Sequence, residues 1–340
     1  IISFGSGQPD LPPPKEIYKI LKNHREFKYG LIQGELYLRE ALAKQYPNAS
    51  VDNFVITNGA SEALDLILRV ISDGTGKNKV LLPRPYYYSY PFVVKYAKMQ
   101  PIYTDLVEGK IDIDDFKRKI GICKAVIINS PSNPTGRIES LETLKQIEKI
   151  TKNLKVYVIS DEVYKDLIYE RENYLLKGKH VITVNSFSKT YSMCGLRIGY
   201  LYSQNKELIQ KVIEMKLRTS MNTNILAQRM ASAALKTPRS HINNLAKIFK
   251  KRRDLIYREL INLGFSLWKP EGAFYVLPKI KNSNRVVNEL FYNYKVIVYD
   301  GEWFGAPERI RLSYALDTKK IKEGLKRIKK YLKGKETWLL

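Results

Sequence analysis

The chain has 340 residues, of which 44% are hydrophobic. This is enough apolar material for a core divided between two domains, because single cores rarely grow beyond ~250–300 residues. Its 58 Lys and Arg residues against 34 Asp and Glu give a formal net charge of +24. Such an excess can attract anionic ligands, but it is equally typical of a lysine-rich solvated surface. Ordinary Gly and Pro contents and the lack of low-complexity segments argue against disorder.

Cysteine and histidine usage excludes further classes of protein. The two cysteines, Cys123 and Cys194, are isolated in the sequence, which argues against a disulfide framework and for a reducing compartment. The three histidines have no metal-ligand spacing. The given N-terminus lacks a basic segment followed by an apolar run, and no apolar run approaches the ~20 residues of a membrane span. We therefore expect a soluble, cytoplasmic protein without a metal site.

The first two thirds of the chain alternate between strand and helix patterns. A Gly- and Pro-rich arm over 5–14 precedes predicted helices at 15–23 and 35–46. Consecutive apolar positions, as in 125–128, are typical of strands buried on both faces of a mostly parallel sheet. The alternation therefore predicts an α/β layered domain. Its strands are predicted near 54–57, 79–82, 101–104, 125–128, 156–160, 181–185 and 198–202.

The pattern changes after about residue 204, where long amphipathic helices dominate and strands become few. This change predicts a second, smaller α+β domain. The predicted organisation is an N-terminal arm that is part of the small domain at 1–28, a large α/β domain at 29–222 and a small domain at 223–340. Helices are predicted at 205–217, 223–235, 238–262 and 318–333, and strands near 274–277, 296–299 and 309–314.

Polar residues with chemical potential follow several predicted strands. Ligands of open α/β sheets bind at the carboxyl ends of the strands. The segment 55–64, VITNGASEAL, passes from a strand through a glycine to a helix whose first N–H groups would hold a phosphate. Ser61 at that helix start is equally consistent with an ordinary N-cap. The segment 129–136, NSPSNPTG, brackets Asn133 with two prolines, which make a rigid turn that aims its amide.

Two further segments add an acidic and two basic side chains. In 156–164, VYVISDEVY, Asp161 ends an apolar strand, so it would be partly buried and would need a cationic or hydrogen-bonding partner. A purely structural role for Asp161 stays open at this point. In 184–200, VNSFSKTYSMCGLRIGY, Lys189 follows a strand between hydroxyl side chains. Arg197, eight residues later, begins the next strand and could contact a phosphate.

These segments together resemble the class I and II aminotransferases. The motifs NPTG, DEVY and SxSK, with an arginine eight residues after the lysine, follow that family's order at compatible spacing. The resemblance extends from 7–10, GQPD, to 310–313, IRLS. It implies an enzyme of fold type I: a three-layer, mostly parallel α/β domain with a smaller α+β domain. It also implies pyridoxal 5′-phosphate (PLP) as the cofactor.

The resemblance assigns roles to the residues of these motifs. Lys189 matches the lysine that binds the cofactor covalently and moves the substrate proton. Asp161 matches the carboxylate that pairs with the pyridine nitrogen and so makes the ring an electron sink. Asn133 and Tyr164 match the donors to the ring hydroxyl oxygen. Tyr87 matches an aromatic residue that stacks on the ring, although its neighbours in the run 86–90 are equally typical of core or interface packing. The implied phosphate site consists of Ala60, Ser61, Ser186, Ser188 and Arg197.

The substrate and the partner subunit are implied in the same way. Arg311 matches the arginine that binds the substrate α-carboxylate through both guanidinium nitrogens, a geometry that lysine cannot reproduce. Gly7 matches a glycine on the other side of that carboxylate, and Asn133 contributes there as well. Tyr29 matches a tyrosine that reaches the phosphate of the neighbouring subunit's cofactor. The resemblance therefore implies a homodimer with shared active sites.

The predicted reaction is transfer of an amino group from an L-amino acid, of the aspartate or aromatic type, to a 2-oxo acid such as 2-oxoglutarate. A dicarboxylate donor needs a second cation, from the partner subunit or from Arg309, which shares a strand face with Arg311. Abundant tyrosines near the predicted site suit aromatic donors equally well; they are Tyr86, Tyr87, Tyr88, Tyr90, Tyr275 and Tyr299.

Alternative activities stay open at the level of sequence. Asp300 resembles the histidinol-phosphate aminotransferases, but Tyr299 stands where that branch carries an arginine. Cys194 also departs from the family's usual proline or small residue. A β-lyase or decarboxylase on the same fold would share the cofactor motifs. A DNA-binding regulator would need an additional DNA-reading module, and none is found, so nucleic acid is not an expected partner.

Overall fold

A computed structural model describes residues 1–72, 74, 76–170 and 172–339 of the chain. The elements are numbered in chain order. Strands β1 to β13 are Ile2–Ser3, Phe54–Thr57, Lys79–Arg84, Gln100–Val107, Lys110–Ile111, Cys123–Asn129, Tyr157–Asp161, Val181–Ser186, Gly199–Ser203, Tyr275–Val276, Val296–Ile297, Tyr299–Asp300 and Ile310–Ser313.

Helices α1 to α11 are Glu16–Asn23, Leu36–Ala43, Gly59–Ile71, Tyr90–Tyr96, Ile113–Ile120, Leu141–Asn153, Lys206–Thr219, Ile225–Ala234, Arg239–Asn262, Ser283–Tyr294 and Thr318–Leu332. The predicted helix at 35–46 is shorter in the structure. It ends in a tight turn in which Gln45 N donates to Leu42 O at 2.9 Å. Pro47 follows, and the residue before a proline is disfavoured in helical conformation.

An eight-stranded sheet forms the centre of the molecule, with the order β2-β9-β8-β7-β6-β3-β4-β5. The strands from β8 to β4 are mutually parallel, whereas β9 is antiparallel to both of its neighbours and β5 is antiparallel to β4. All seven strands predicted between 54 and 202 belong to this sheet. The predicted α/β fold, with a mostly parallel sheet, is confirmed.

Both faces of the sheet are buried, which explains the continuous apolar runs of its strands. In β3, Val80 and Leu82 pack into one core with helices α3, α4 and α7, while Leu81 points into a second core with α5 and α6. All three side chains are fully buried. The alternation gives three layers, helices–sheet–helices, and ligands of such folds bind at the strand ends.

The C-terminal third forms a smaller sheet, β10-β13-β12, which is antiparallel, and pairs β11 in parallel with the N-terminal β1. The predicted strand at 296–299 is therefore divided, because β11 pairs with β1 and β12 pairs with β13. Helix α8 packs with the large sheet, where Ala227 and Met230 share a core with Phe54 and Ile56. The domain boundaries at residues 28 and 222 stay predictions.

The N-terminal arm lies between the two parts of the molecule. Phe4 is fully buried, and its carbonyl accepts a hydrogen bond from Ser313 N at 2.7 Å. Asp10 accepts hydrogen bonds from two guanidinium nitrogens of Arg252, at 2.6 and 3.0 Å. These contacts anchor the arm at both ends, so residues 5–9 pass over the carboxyl ends of the central strands.

The longest helix, α9, has 24 residues and carries many Lys and Arg side chains. Within the described ranges, no helix is both long and apolar enough to cross a membrane. The same residues contain no group of three or more His, Cys, Asp or Glu side chains that could hold a metal ion.

Packing of α11 against the arm leads to a stability prediction. A Cβ atom added to Gly324 would lie 2.3 Å from Cε2 of Phe4, a buried ring without free space. Alanine normally stabilises a helix interior by about 1 kcal/mol relative to glycine. Here we expect Gly324→Ala to lower the free energy of unfolding by about 1–3 kcal/mol, because overpacking outweighs helix propensity. Urea unfolding followed by circular dichroism measures the change.

Gly121→Ala is the matched control. Gly121 follows α5 with a helical φ of −60°, and an added Cβ would meet no atom within 4 Å. Alanine is expected to leave stability unchanged or to raise it by up to about 1 kcal/mol. Stabilisation by Gly324→Ala would contradict the close contact with Phe4.

Candidate active site

A cavity of about 330 Å³ lies at the carboxyl ends of β6, β7 and β8, beneath the N-terminal arm. The ends of these parallel strands meet at one edge of the sheet, which is the usual ligand position in such folds. All but one of the site residues predicted from the sequence line this cavity. They are Gly7, Ala60, Ser61, Tyr87, Asn133, Asp161, Tyr164, Ser186, Ser188, Lys189, Arg197 and Arg311.

Lys189 lies on the loop that joins β8 to β9. Phe187 N donates to Ile198 O at 3.1 Å, which closes the base of this loop and directs the lysine towards the cavity. The Lys189 Nζ atom donates to the carbonyl of Gly7 in the N-terminal arm at 2.8 Å. The amine is therefore half-buried, held by a neutral acceptor and accessible to a ligand in the cavity.

Asp161 ends β7, where it pairs with Asn129 of β6 and Val184 of β8. Its side chain is 5% exposed and accepts hydrogen bonds from the Tyr90 hydroxyl at 2.6 Å and from Val163 N at 3.3 Å. Burial raises the pKa of Asp161 to about 6, although both hydrogen bonds and the Lys189 charge favour the ionised form. A cation placed against this carboxylate would offset its desolvation, so the site fits a protonated ring nitrogen.

The opposite end of the cavity is built for an anion. Helix α3 begins at Gly59, and within the described chain the side chain of its N-cap residue, Asn58, forms no capping hydrogen bond. Ala60 and Ser61 of the first turn line the cavity, where backbone N–H groups of a helix start can bind an anion. Gly59 has a φ of +77°, and a Cβ atom there would lie 2.7 Å from Nη2 of Arg197. Glycine is therefore required for the guanidinium to approach the helix terminus. Ser61, Ser186 and Ser188 add hydroxyl groups, and this donor set fits a phosphate monoester.

Asn133 and Tyr164 lie between these two ends. Asn133 is held through its backbone and its side chain, since its backbone N–H donates to Asn129 Oδ1 at 2.8 Å and its side-chain Oδ1 accepts from Arg311 Nη1 at 3.1 Å. The Tyr164 and Tyr275 hydroxyls are 2.8 Å apart. Burial raises the pKa of Tyr164 well above its usual value, so its hydroxyl stays neutral and can donate a hydrogen bond.

Arg311, on β13, provides a buried cation at the side of the cavity. Its side chain is 2% exposed, with the guanidinium 4.6–4.8 Å from the ring centroids of Tyr275, Tyr299 and Phe304. It donates to Asn133 and to the carbonyl of Gly5, while its Nε atom is buried without a hydrogen-bond partner among the described residues. Those residues form no salt bridge with it. A buried guanidinium without a counterion is suited to a ligand carboxylate.

Tyr29 is the one predicted site residue that lies away from the cavity. Its side chain is 83% exposed and lines a separate groove formed by residues 24–29 and 222–226. Within one chain it therefore takes no part in the site. Its role in the site of a partner subunit stays a prediction.

The structure gives specific contacts to tyrosines that the sequence placed near the site without a role in binding the cofactor. Tyr90 contacts Asp161, whereas Tyr275 and Tyr299 flank Arg311. The spacing of Tyr90 indicated its contact with Tyr87, because it follows Tyr87 by three residues at a helix start, and such residues share a face. Tyr87 packs edge-on against Tyr90 with ring centroids 5.4 Å apart.

Arg309 does not line the cavity. Its Nη1 atom donates to Leu277 O at 2.9 Å, and its guanidinium lies 4.2 Å from the centroid of the Trp268 ring. The shared strand face with Arg311 therefore does not give the cavity a second substrate-binding arginine.

Comparison with known proteins agrees with this geometry. The family described as aminotransferase class I and II matches residues 1–328. A probable aspartate/prephenate aminotransferase of Aquifex aeolicus is 34% identical over 98% of this chain and 91% of its own length. The structure of Thermus thermophilus aspartate aminotransferase with maleate is 28% identical with a TM-score of 0.93, covering 97% of this chain and 91% of that one. An aromatic aminotransferase from Pyrococcus horikoshii is 29% identical with a TM-score of 0.91, covering 99% and 96%.

The fold and the cavity are those of a fold type I transferase, and the chain belongs to the class I and II aminotransferase family. It is an aminotransferase, an enzyme class that works with PLP. A lysine amine, a buried carboxylate and a phosphate-type anion site lie in one cavity, so the residues present fit that cofactor.

Arg311→Lys tests the carboxylate site. Lysine keeps the charge but loses the paired guanidinium donors, and it cannot maintain the contact with Asn133. Loss of a buried, hydrogen-bonded charge pair costs about 2–5 kcal/mol, so we expect kcat/KM for the amino-acid donor to fall about 30- to 5000-fold. Steady-state kinetics measure this loss, with the absorbance of bound cofactor unchanged.

Arg309→Lys is the matched control, since Arg309 lies two residues earlier and outside the cavity. It is expected to change kcat/KM by no more than about twofold, because the Arg309 guanidinium contacts Leu277 O and Trp268 outside the cavity and lysine keeps the charge. A larger loss in Arg309→Lys than in Arg311→Lys would contradict the assignment of the carboxylate site.

Proposed function

We propose that this chain is a PLP-dependent aminotransferase that moves the amino group of L-aspartate to a 2-oxo acid such as 2-oxoglutarate. The observation that carries the proposal is the convergence of Lys189, Asp161 and Arg311 on one cavity. The names of two relatives support the donor: the Aquifex aeolicus protein is a probable aspartate/prephenate aminotransferase, and a relative from Bacillus subtilis is an aspartate aminotransferase.

The roles of the residues follow from their positions. When bound, PLP supplies an electron sink for the bonding electrons of the substrate α-carbon. The Lys189 amine would exchange the Gly7 carbonyl for the cofactor; once the substrate amine displaces it, the free amine could accept the α-proton of the substrate. The Asp161 carboxylate keeps a proton on the ring nitrogen, and Arg311 anchors the substrate carboxylate so that the α-proton faces Lys189.

An aspartate donor has a second carboxylate, which requires another cation. The cationic side chains that line the cavity, among the described residues, are Lys189, Arg197 and Arg311, and each already has a role. We infer that the partner subunit of a homodimer supplies this cation. The Thermus thermophilus structure with maleate, a dicarboxylate, supports a dicarboxylic substrate.

Aromatic amino acids are a second candidate class of donor. Tyr87, Tyr88, Tyr275 and Tyr299 line the cavity, and aromatic rings pack favourably against one another. The similarity to the aromatic aminotransferase of Pyrococcus horikoshii supports this candidate. A cavity that binds the α-carboxylate through Arg311 and leaves the distal group among tyrosines suits an aromatic donor, whereas an aspartate donor needs the cation of the partner subunit as well.

Lys189→Ala tests the central assignment. Removal of the amine is expected to abolish the visible absorbance of lysine-bound cofactor and to lower turnover by at least ~100-fold, because a positioned proton-transfer group contributes ~10²–10⁴-fold. Lys206→Ala, at the exposed start of α7, is the control and should leave both properties unchanged. Retention of the absorbance in Lys189→Ala would contradict the assignment.

A panel of donors decides the reaction and the substrate. L-Aspartate alone should convert the bound cofactor stoichiometrically to its amine form, and added 2-oxoglutarate should restore the original spectrum. Release of CO₂ or pyruvate without that conversion would indicate a decarboxylase or β-lyase. A kcat/KM for phenylalanine or tyrosine above that for L-aspartate would favour the aromatic class of donor. A kcat/KM for histidinol phosphate above that for L-aspartate would favour a histidinol-phosphate aminotransferase.

We propose that the enzyme is a cytoplasmic homodimer in which Tyr29 of one subunit reaches the cofactor of the other. Hybrid dimers test this role of Tyr29. Tyr29→Ala and Lys189→Ala subunits, mixed and refolded together, would form hybrids in which one site has both native residues. We expect the mixture to regain activity above that of either variant alone. If Tyr29 served its own subunit, the hybrid would contain no intact site and no recovery would occur.

A further inference from the structure

Tyr90 is the first residue of α4 and is 2% exposed. Its hydroxyl lies 2.6 Å from Asp161 Oδ2, and its ring packs edge-on against Tyr87. It therefore touches both the carboxylate assigned to the cofactor ring nitrogen and the side chain assigned to stack on the ring. The motif comparison gives Tyr90 no role.

The hydrogen bonds of Asp161 show why this contact matters. The second hydrogen bond to the carboxylate, donated by Val163 N, is longer than the first, at 3.3 Å. The groups that face Asp161 are the amine of Lys189, the hydroxyls of Tyr90 and Tyr164, and the adjacent carboxyl of Glu162. Lys189 is itself hydrogen-bonded to Gly7 O and forms no salt bridge with Asp161 among the described residues. Among the described residues, the Tyr90 hydroxyl thus donates the shortest hydrogen bond to this carboxylate.

The direction of the hydrogen bond is determined by burial. Burial, followed by the charge of Asp161, raises the pKa of Tyr90 well above its usual value. Tyr90 therefore keeps its proton and donates it to Asp161. Charge-assisted hydrogen bonds of this kind are short and strong because one partner is ionised.

We propose that Tyr90 is a positioning residue that keeps Asp161 ionised and aims its free carboxylate lone pairs at the ring nitrogen of the cofactor. This inference rests on the proposed function, since it takes PLP as the ligand of the cavity. It assigns the tyrosine a role through Asp161, without contact with the reacting atoms of the substrate.

Removal of the hydroxyl should make ionisation of Asp161 harder. Burial raises the pKa of Asp161 to about 6, and the hydrogen bond from Tyr90 opposes that rise. A hydrogen bond to a charged group corresponds to about one to two pKa units. In Tyr90→Phe we therefore expect the carboxyl to ionise near pH ~7 or above, with the aromatic packing against Tyr87 retained.

The first measurement is the dissociation constant of PLP for Tyr90→Phe and for the native protein between pH 5.5 and 8.5. Comparison at equal pH cancels the protonation of PLP itself. We assume that PLP binds the ionised Asp161 carboxylate and that Tyr90→Phe raises the pKa of Asp161 by one unit. The dissociation constant of Tyr90→Phe divided by that of the native protein then rises from about 1 at pH 8.5 to about 2 at pH 7 and about 8 at pH 5.5. Tyr96→Phe is the control, because Tyr96 ends the same helix and is 69% exposed.

The second measurement needs no cofactor. A carboxyl whose pKa is raised on folding destabilises the protein as pH rises from its unfolded value of 3.8 to its folded value. The unfolding temperature of cofactor-free Tyr90→Phe should therefore drop relative to that of the native protein as pH rises from 6 to 7. We expect the difference between the two temperatures to grow by about 2 °C over this range and to stay constant above pH 7. In an Asp161→Asn background the same substitution should show no pH dependence.

The outcomes separate the two proposals. Failure of the native protein to bind PLP would overturn the proposed function, whereas the measurement without cofactor would still test the contact between Tyr90 and Asp161. If PLP binds and the ratio of the constants is independent of pH, Tyr90 does not support the ionised Asp161 and the inference is wrong. Equal behaviour of Tyr90→Phe and Tyr96→Phe would overturn it in the same way.

Discussion

Burial of the Asp161 carboxylate at the end of β7 is the constraint around which the site is organised. A carboxylate with 5% exposure loses most of its hydration, and burial raises its pKa to about 6. Hydrogen bonds from Tyr90 and Val163 replace only part of the lost hydration. A cationic group of a ligand can therefore stabilise the carboxylate further. The parallel strands on either side of β7 hold the carboxylate in place, because Asn129 and Val184 pair with it in register.

The charges of the cavity are separated in a way that orients a ligand. The Asp161 carboxylate lies at the end of the central strands, the helix terminus with Arg197 provides a second, positive end, and Arg311 forms a buried cation at the side. A ligand with a cationic ring, a phosphate and a carboxylate can satisfy all three only in one orientation. The N-terminal arm closes the site, since the carbonyls of Gly5 and Gly7 accept hydrogen bonds from Arg311 and Lys189.

Much of this architecture could be predicted from local sequence. The apolar runs at 125–128 and 181–185 indicated strands buried on both faces, and the polar residues that follow them were expected at one sheet edge. Both expectations hold in β6 and β8. Predictions were weaker where long-range pairing divides a segment, as at 296–299, where β11 pairs with β1 and β12 with β13.

The sequence by itself determined the layered α/β order, the lysine, carboxylate and arginine motifs and, through their resemblance to a family, the cofactor. Periodicity and short motifs encode these features locally. Only the tertiary structure decided that Tyr90 donates to Asp161, that Tyr275 and Tyr299 flank Arg311 and that Arg309 packs on Trp268. Contacts within the site join residues up to 306 positions apart, as Gly5 and Arg311 show. Residues so far apart in the sequence come into contact only when the two sheets and the N-terminal arm pack together. Local sequence patterns do not predict that packing.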